Sequence, residues 1–97
     1  MLILITYDVS LKEETGVRRL RKIAETCQDY GVRVQNSVFE CDISPDQWCV
    51  LKMKLLDSYD PEMDSLRFYK LGKNGRNKIE HYGAKAVADV FKSVLLL

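Results

Sequence analysis

Leu2-Ile3-Leu4-Ile5-Thr6-Tyr7-Asp8-Val9-Ser10 is a short, mostly unbroken apolar run that leads directly into a carboxylate. Continuous hydrophobicity over so few residues predicts a strand covered on both faces, in the centre of a sheet. A carboxylate seldom lies inside such a strand, because desolvating it is costly unless it is paired or metal-bound. Asp8 is therefore expected where the strand leaves the core and the next element begins, a place where ligands and chemistry commonly gather. Two roles fit that position. Asp8 or Ser10 caps the following helix by accepting from its first free N–H groups, or Asp8 binds a hard divalent cation, which takes oxygen ligands.

The run is far shorter than a membrane span, and no signal-peptide pattern follows it. A chain of 97 residues, 46% hydrophobic and 30% charged, has room for one core and the composition of a globular domain. Cys27, Cys41 and Cys49 are odd in number and form no C-x-x-C pair, and there is a single histidine. That argues against a structural zinc site and for reduced core thiols in a cytoplasmic protein with no membrane partner. The net charge of +1 says little, but its distribution says more. Seven acids stand between Glu40 and Asp64, whereas Arg67, Lys70, Lys73, Arg76 and Lys78 form a basic block without an acid. Such a block offers either a solvated loop or a local phosphate-binding surface.

Beyond the first strand, Val17, Leu20, Ile23, Ala24, Cys27 and Tyr30 recur at three- and four-residue steps. This predicts an amphipathic helix from about Lys12 to Tyr30, ended by Gly31 in the C′ role. Gly16 costs that helix up to ~1 kcal/mol relative to alanine, so its first turn is either loose or close to another backbone. Arg18, Arg19, Arg21 and Lys22 lie beside the apolar stripe. Glu14–Arg18 and Arg21–Glu25 have surface-pair spacing, but Arg19 has no acid four residues before or after it, which marks it for a ligand.

From Val32 the apolar period becomes two, and its phase moves from even to odd positions around Asn36-Ser37-Val38. Two strands, about 32–36 and 38–43, joined by a tight reversal or a sharp bulge, account for this. Ser44-Pro45-Asp46-Gln47 carries a capping serine, a first-turn proline and a capping-box glutamine. The second helix that it opens has Trp48, Leu51, Leu55 and Leu56 inward and runs to about Tyr59. Asp60-Pro61 ends it, Leu66 to Leu71 reads as a fourth strand, and Ile79 to Tyr82 as a fifth, edge strand. Residues 73–77 form a polar loop between them.

This order is α+β: a ferredoxin-like βαββαβ plan with a four-stranded antiparallel sheet and two helices on one face. An additional C-terminal strand is available to pair with a second subunit. Residues 1–83 make the domain, and 84–97 a tail expected to pack on the dimer partner. Phe39, Phe68, Tyr69 and the apolar tail are the material expected to bury the uncovered sheet face in a dimer. The plan hosts many unrelated activities and decides none.

Y-D-V-S (Tyr7 to Ser10), R-R-L-R-K (Arg18 to Lys22), Y-G-V-R-V-Q-N-S-V-F-E (Tyr30 to Glu40) and D-S-L-R-F-Y-x-L-G (Asp64 to Gly72) together resemble the CRISPR-associated protein two family. The four motifs keep the family's order over nearly the whole chain. The resemblance implies a homodimer that joins the CRISPR integrase subunit in spacer acquisition. It also implies a magnesium-dependent endonuclease, with Mn2+ able to replace Mg2+, acting on single-stranded RNA or duplex DNA. The family's metal-binding and catalytic aspartate falls at Asp8, its serine at Ser10, its basic helix positions at Arg18 and Arg19, its strand arginine at Arg33 and its aromatic at Phe39. Arg76, in the basic block, is a further candidate for phosphate binding.

On chemical grounds one aspartate per chain is a thin ligand set for magnesium, although a dimer supplies two. The competing role is a bridge without turnover that grips duplex DNA through backbone phosphates. A small-ligand regulatory module would need a glycine-rich or apolar ligand loop, which the sequence lacks.

Overall fold

Leu2–Asp8 forms β1 and lies at the centre of the sheet, as its apolar run predicts. In the computed structural model, which describes residues 1–72 and 77–84, the elements that follow are α1 (Glu14–Gln28), β2 (Val32–Gln35), β3 (Val38–Asp42), α2 (Pro45–Ser58), β4 (Ser65–Leu71) and β5 (Asn77–Gly83). The strand order is β2-β3-β1-β4-β5, with every neighbouring pair antiparallel. This is the expected ferredoxin-like arrangement, widened to five strands because β5 lies along β4 of its own chain. The tail beyond Ala84 falls outside the described residues.

The odd positions of β1 set the core. Ile3, Ile5 and Tyr7 stand opposite Cys41 and Phe39 of β3 and opposite Phe68 and Leu66 of β4, and all are buried. Ile23 and Cys27 of α1 and Trp48, Leu51 and Leu55 of α2 close over them. The Trp48 ring meets Phe68 edge-on, with centroids 4.8 Å apart, so Trp48 is a core anchor and no stacking platform. Val17, at the start of the α1 stripe, is 52% exposed, because the stripe turns away from the sheet there.

Phe39 and Phe68 therefore do not line the face turned away from the helices, contrary to expectation. Register with Ile5 puts both on the helix side, fully buried. Tyr69 does lie on the other face, and it too is buried. The β2–β3 connection combines both devices predicted for it. A two-residue reversal at Asn36-Ser37 is accompanied by a register irregularity between Arg33 and Gln35. All four residues of β2 are exposed, Val32 at 68%.

Gly31 does not take the left-handed conformation that a C′ glycine supplies, since Gly83 is the one described residue with positive φ. It is needed for contact: a Cβ there would run into Cys41 Sγ and the Glu40 carbonyl. On the opposite flank, Glu80 of β5 accepts from Lys52 of α2 and lies 3.3 Å from Lys70 Nζ of β4, pinning the edge strand.

Candidate nuclease rim

β1 delivers Asp8 to solvent at its last position, opposite Ser65 of β4, which is opposite Gly83 of β5. The even register of β1 puts Asp8 on the sheet face turned away from the helices. The chain after it does not cap α1. The N-cap is Glu13, with no capping hydrogen bond from its side chain, and among the described residues the Ser10 hydroxyl accepts from the Lys12 amide, at 3.4 Å. The capping role for Asp8 or Ser10 is thus set aside, because the helix starts at Glu14, too far along the chain for either.

What fixes this segment comes from elsewhere. Asp64, just before β4, is a fully buried carboxylate that accepts four hydrogen bonds. Its Oδ1 accepts from the Ser10 amide at 2.9 Å and from Arg19 Nη2 at 3.3 Å. Its Oδ2 accepts from Arg19 Nε at 2.8 Å and from the Asp60 amide at 2.9 Å. Burial pushes the Asp64 carboxyl up, but the Arg19 guanidinium and the Asp60 and Ser10 amides outweigh it and hold the group below the usual carboxylate range. On its other side, Ser10 presents its carbonyl to Gly16. A Cβ at Gly16 would overlap that oxygen, so the glycine is there for close backbone approach.

Arg19, singled out in the sequence as lacking a helical partner, has one after all, 45 residues away in sequence. Its remaining Nη1 donates to Thr15 Oγ1 at 2.8 Å. It is a structural arginine rather than a ready phosphate ligand. Arg18 lies elsewhere, lining with Arg21 and Lys22 a shallow depression on the outer face of α1 whose other charged members are Glu25 and Asp29. Among the described residues neither Glu14–Arg18 nor Arg21–Glu25 closes as an ion pair.

Arg33 and Phe39 do meet: the guanidinium lies 5.1 Å from the ring centroid. Phe39 is fully buried, however, so its ring supports Arg33 and offers no face to a base. Arg33 and Arg21 flank a groove of about 490 Å³ between α1 and the β2–β3 hairpin, floored by Tyr7 and Leu20. Burial pushes the Tyr7 hydroxyl up, against a smaller lowering by Arg33. The basic block divides as well. Arg67 is buried in the sheet, Lys70 is engaged by Glu80, and Lys73 and Arg76 lie outside the described residues.

The depression beside Asp8 has a volume of about 530 Å³, and its charged lining consists of Asp8, Lys12 and Glu62, with no arginine. Among the described residues no group of three or more His, Cys, Asp or Glu side chains converges to hold a metal ion. The acidic donors here are nonetheless carboxylate oxygens open to water. They fit a magnesium ion that keeps most of its waters and takes one or two carboxylates. Sequence reasoning missed both Glu62 and Asp64 as parts of this rim. Asp64 heads one of the four recognised motifs, but nothing in local spacing pairs it with Arg19 or Ser10.

The molecule is thus a small ferredoxin-like domain with an exposed aspartate at the exit of its central strand and exposed arginines on its first helix. The family model for CRISPR-associated protein Cas2 matches residues 1–79, and the chain belongs to that family. It is 54% identical over 96 residues to a CRISPR-associated endoribonuclease Cas2 of Chlorobaculum tepidum, covering 99% of this chain and all of that one. It is 61% identical over 89 residues to a protein of the same description from Nitratidesulfovibrio vulgaris, covering 92% and 87%. Among solved structures, Streptococcus pyogenes Cas2 at pH 6.5 superposes with a TM-score of 0.69 at 50% identity, covering 76% of this chain and 89% of that one.

Proposed function

We propose that this chain is a CRISPR adaptation protein that acts as a homodimer with the CRISPR integrase subunit and hydrolyses phosphodiesters of RNA or DNA with Mg2+. The observation that carries the proposal is Asp8, exposed at the end of a buried central strand and lining a depression of about 530 Å³. Asp8 would hold the ion, which, when bound, makes its water more acidic and hence a better nucleophile near neutral pH. The chain's own part is to hold Asp8 still. Its position on the sheet face away from the helices suits a two-fold dimer in which two Asp8 side chains face one another. Two such carboxylates repel unless a cation or proton lies between them. Arg18, Arg21 and Lys22, exposed on α1, and Arg33 on β2 supply sequence-independent contacts to backbone phosphates.

A second reading has its own support, namely the single acidic side chain at the end of β1 and the basic outer face of α1. On it the dimer is a DNA-holding bridge that turns over no substrate. One experiment separates the two. Cleavage of single-stranded RNA and duplex DNA is followed with and without Mg2+ or Mn2+ for the parent and Asp8→Ala, alongside duplex binding across salt. The nuclease predicts metal-dependent cleavage that falls by at least about a hundredfold in Asp8→Ala, with folding and dimerisation intact. The bridge predicts no cleavage by the parent. It also predicts duplex binding that Arg18→Glu weakens, with a shallower salt dependence, and that Asp8→Ala leaves alone.

A further inference from the structure

Asp64 is the one fully buried acid among the described residues, and its four donors come from three separate parts of the chain. They are the peptide two residues after Asp8, the side chain of Arg19 on α1, and the Asp60 amide in the turn between α2 and β4. An ionised carboxylate accepts about four hydrogen bonds, so this one has no capacity left for solvent or substrate. The same residue's backbone carbonyl accepts from the Ala84 amide at 3.1 Å, joining the end of β5 to the same junction.

We propose that Asp64, locked in place by Arg19, is the positioning residue of the rim. By gripping the Ser10 amide it fixes the direction in which β1 presents Asp8. The proposal rests on Asp8 carrying the chemistry. Were Asp64 only a stabilising ion pair, its loss would lower global stability without selectively loosening the 8–10 segment. Gripping is more specific than that. Ser10 is held by its N–H against the carboxylate, while its carbonyl rests on Gly16, so the two peptide units that flank its Cα are each held by one contact. Asparagine at 64 offers one acceptor oxygen and turns an NH2 group toward donors, which breaks the grip at nearly unchanged volume. Lysine at 19 keeps the charge and loses the two-pronged contact.

The test uses the full-length protein as Asp64→Asn and Arg19→Lys, with Ser44→Ala as a destabilised control far from the rim. Amide hydrogen exchange at Ser10 is measured without metal. Binding of Mn2+ alone and single-turnover cleavage are measured besides. The expected result is Ser10 exchange faster by at least about tenfold in Asp64→Asn, beyond any change at α2 amides. With it come Mn2+ affinity and the cleavage rate constant lowered by about 10- to 100-fold, at little change in KM. Arg19→Lys falls between the parent and Asp64→Asn, and Ser44→Ala moves none of these. Should Asp64→Asn not fold, Arg19→Lys decides alone by the same readouts.

Parent-like Ser10 exchange, or a parent-like cleavage rate with Ser10 unprotected, overturns the positioning role while leaving Asp8 as the catalytic group. Unchanged cleavage in Asp8→Ala, or none in the parent, overturns the nuclease reading and this proposal with it.

Discussion

The two helices begin in opposite ways. α2 is started by its own sequence: the Ser44 hydroxyl accepts from the Gln47 amide, and the Gln47 side chain accepts from the Ser44 amide, with Pro45 in the first turn. α1 has no such device at Glu13. Its start is held by long-range contacts, the Gly16 backbone against Ser10 and Arg19 against Asp64. A helix start encoded within four residues is robust and local. One assembled from residues up to 45 apart exists only once the domain has folded, and it is the second kind that borders Asp8.

This contrast can be broken from either side. The largest effect is expected for Asp64→Ala, which strands the Arg19 charge and two amides. It should cost about 3 kcal/mol, read from the shift in urea midpoint at constant slope. Because the folded pKa of Asp64 is depressed, its contribution is complete above the ordinary carboxylate range and is lost as pH falls through the folded value. The gap in stability between the parent and Asp64→Ala should therefore narrow below about pH 4. A gap that stays constant down to pH 2 would contradict the assignment of that proton. Gly16→Ala comes next. Alanine favours a helix by up to ~1 kcal/mol, but here the new methyl meets a backbone carbonyl that cannot swing aside. A net loss of about 2 kcal/mol in thermal or urea unfolding is expected. Ser44→Ala should show the smallest effect, about 1 kcal/mol, confined to α2 and without consequence for Asp8.

The same contrast explains what could be read beforehand. The capping box, the central apolar strand and the phase change at Asn36-Ser37 are written in neighbouring residues, so their elements were legible to within a few positions. Asp8 was legible too, as a carboxylate at the end of an apolar run. Arg19 was misjudged because its partner is remote, and local spacing carries no information about a residue on another loop. Phe39 was misjudged because a strand's alternation tells which residues share a face but not which face the helices cover. Val17 fits the helical stripe yet is half in water, since the stripe outlasts the surface it packs on.

Gly83 closes the row that begins at Asp8 and passes through Ser65. Its φ of 109° excludes most side chains, and a Cβ there would press on the Asp64 carbonyl and come within 2.8 Å of Ser65 Cα. A mutational scan judged by strand position alone would rank this edge-strand glycine among the tolerant sites. The backbone ranks it otherwise, because any side chain there shoves the residue whose carboxylate restrains Ser10, and the damage travels across two strands without touching a phosphate.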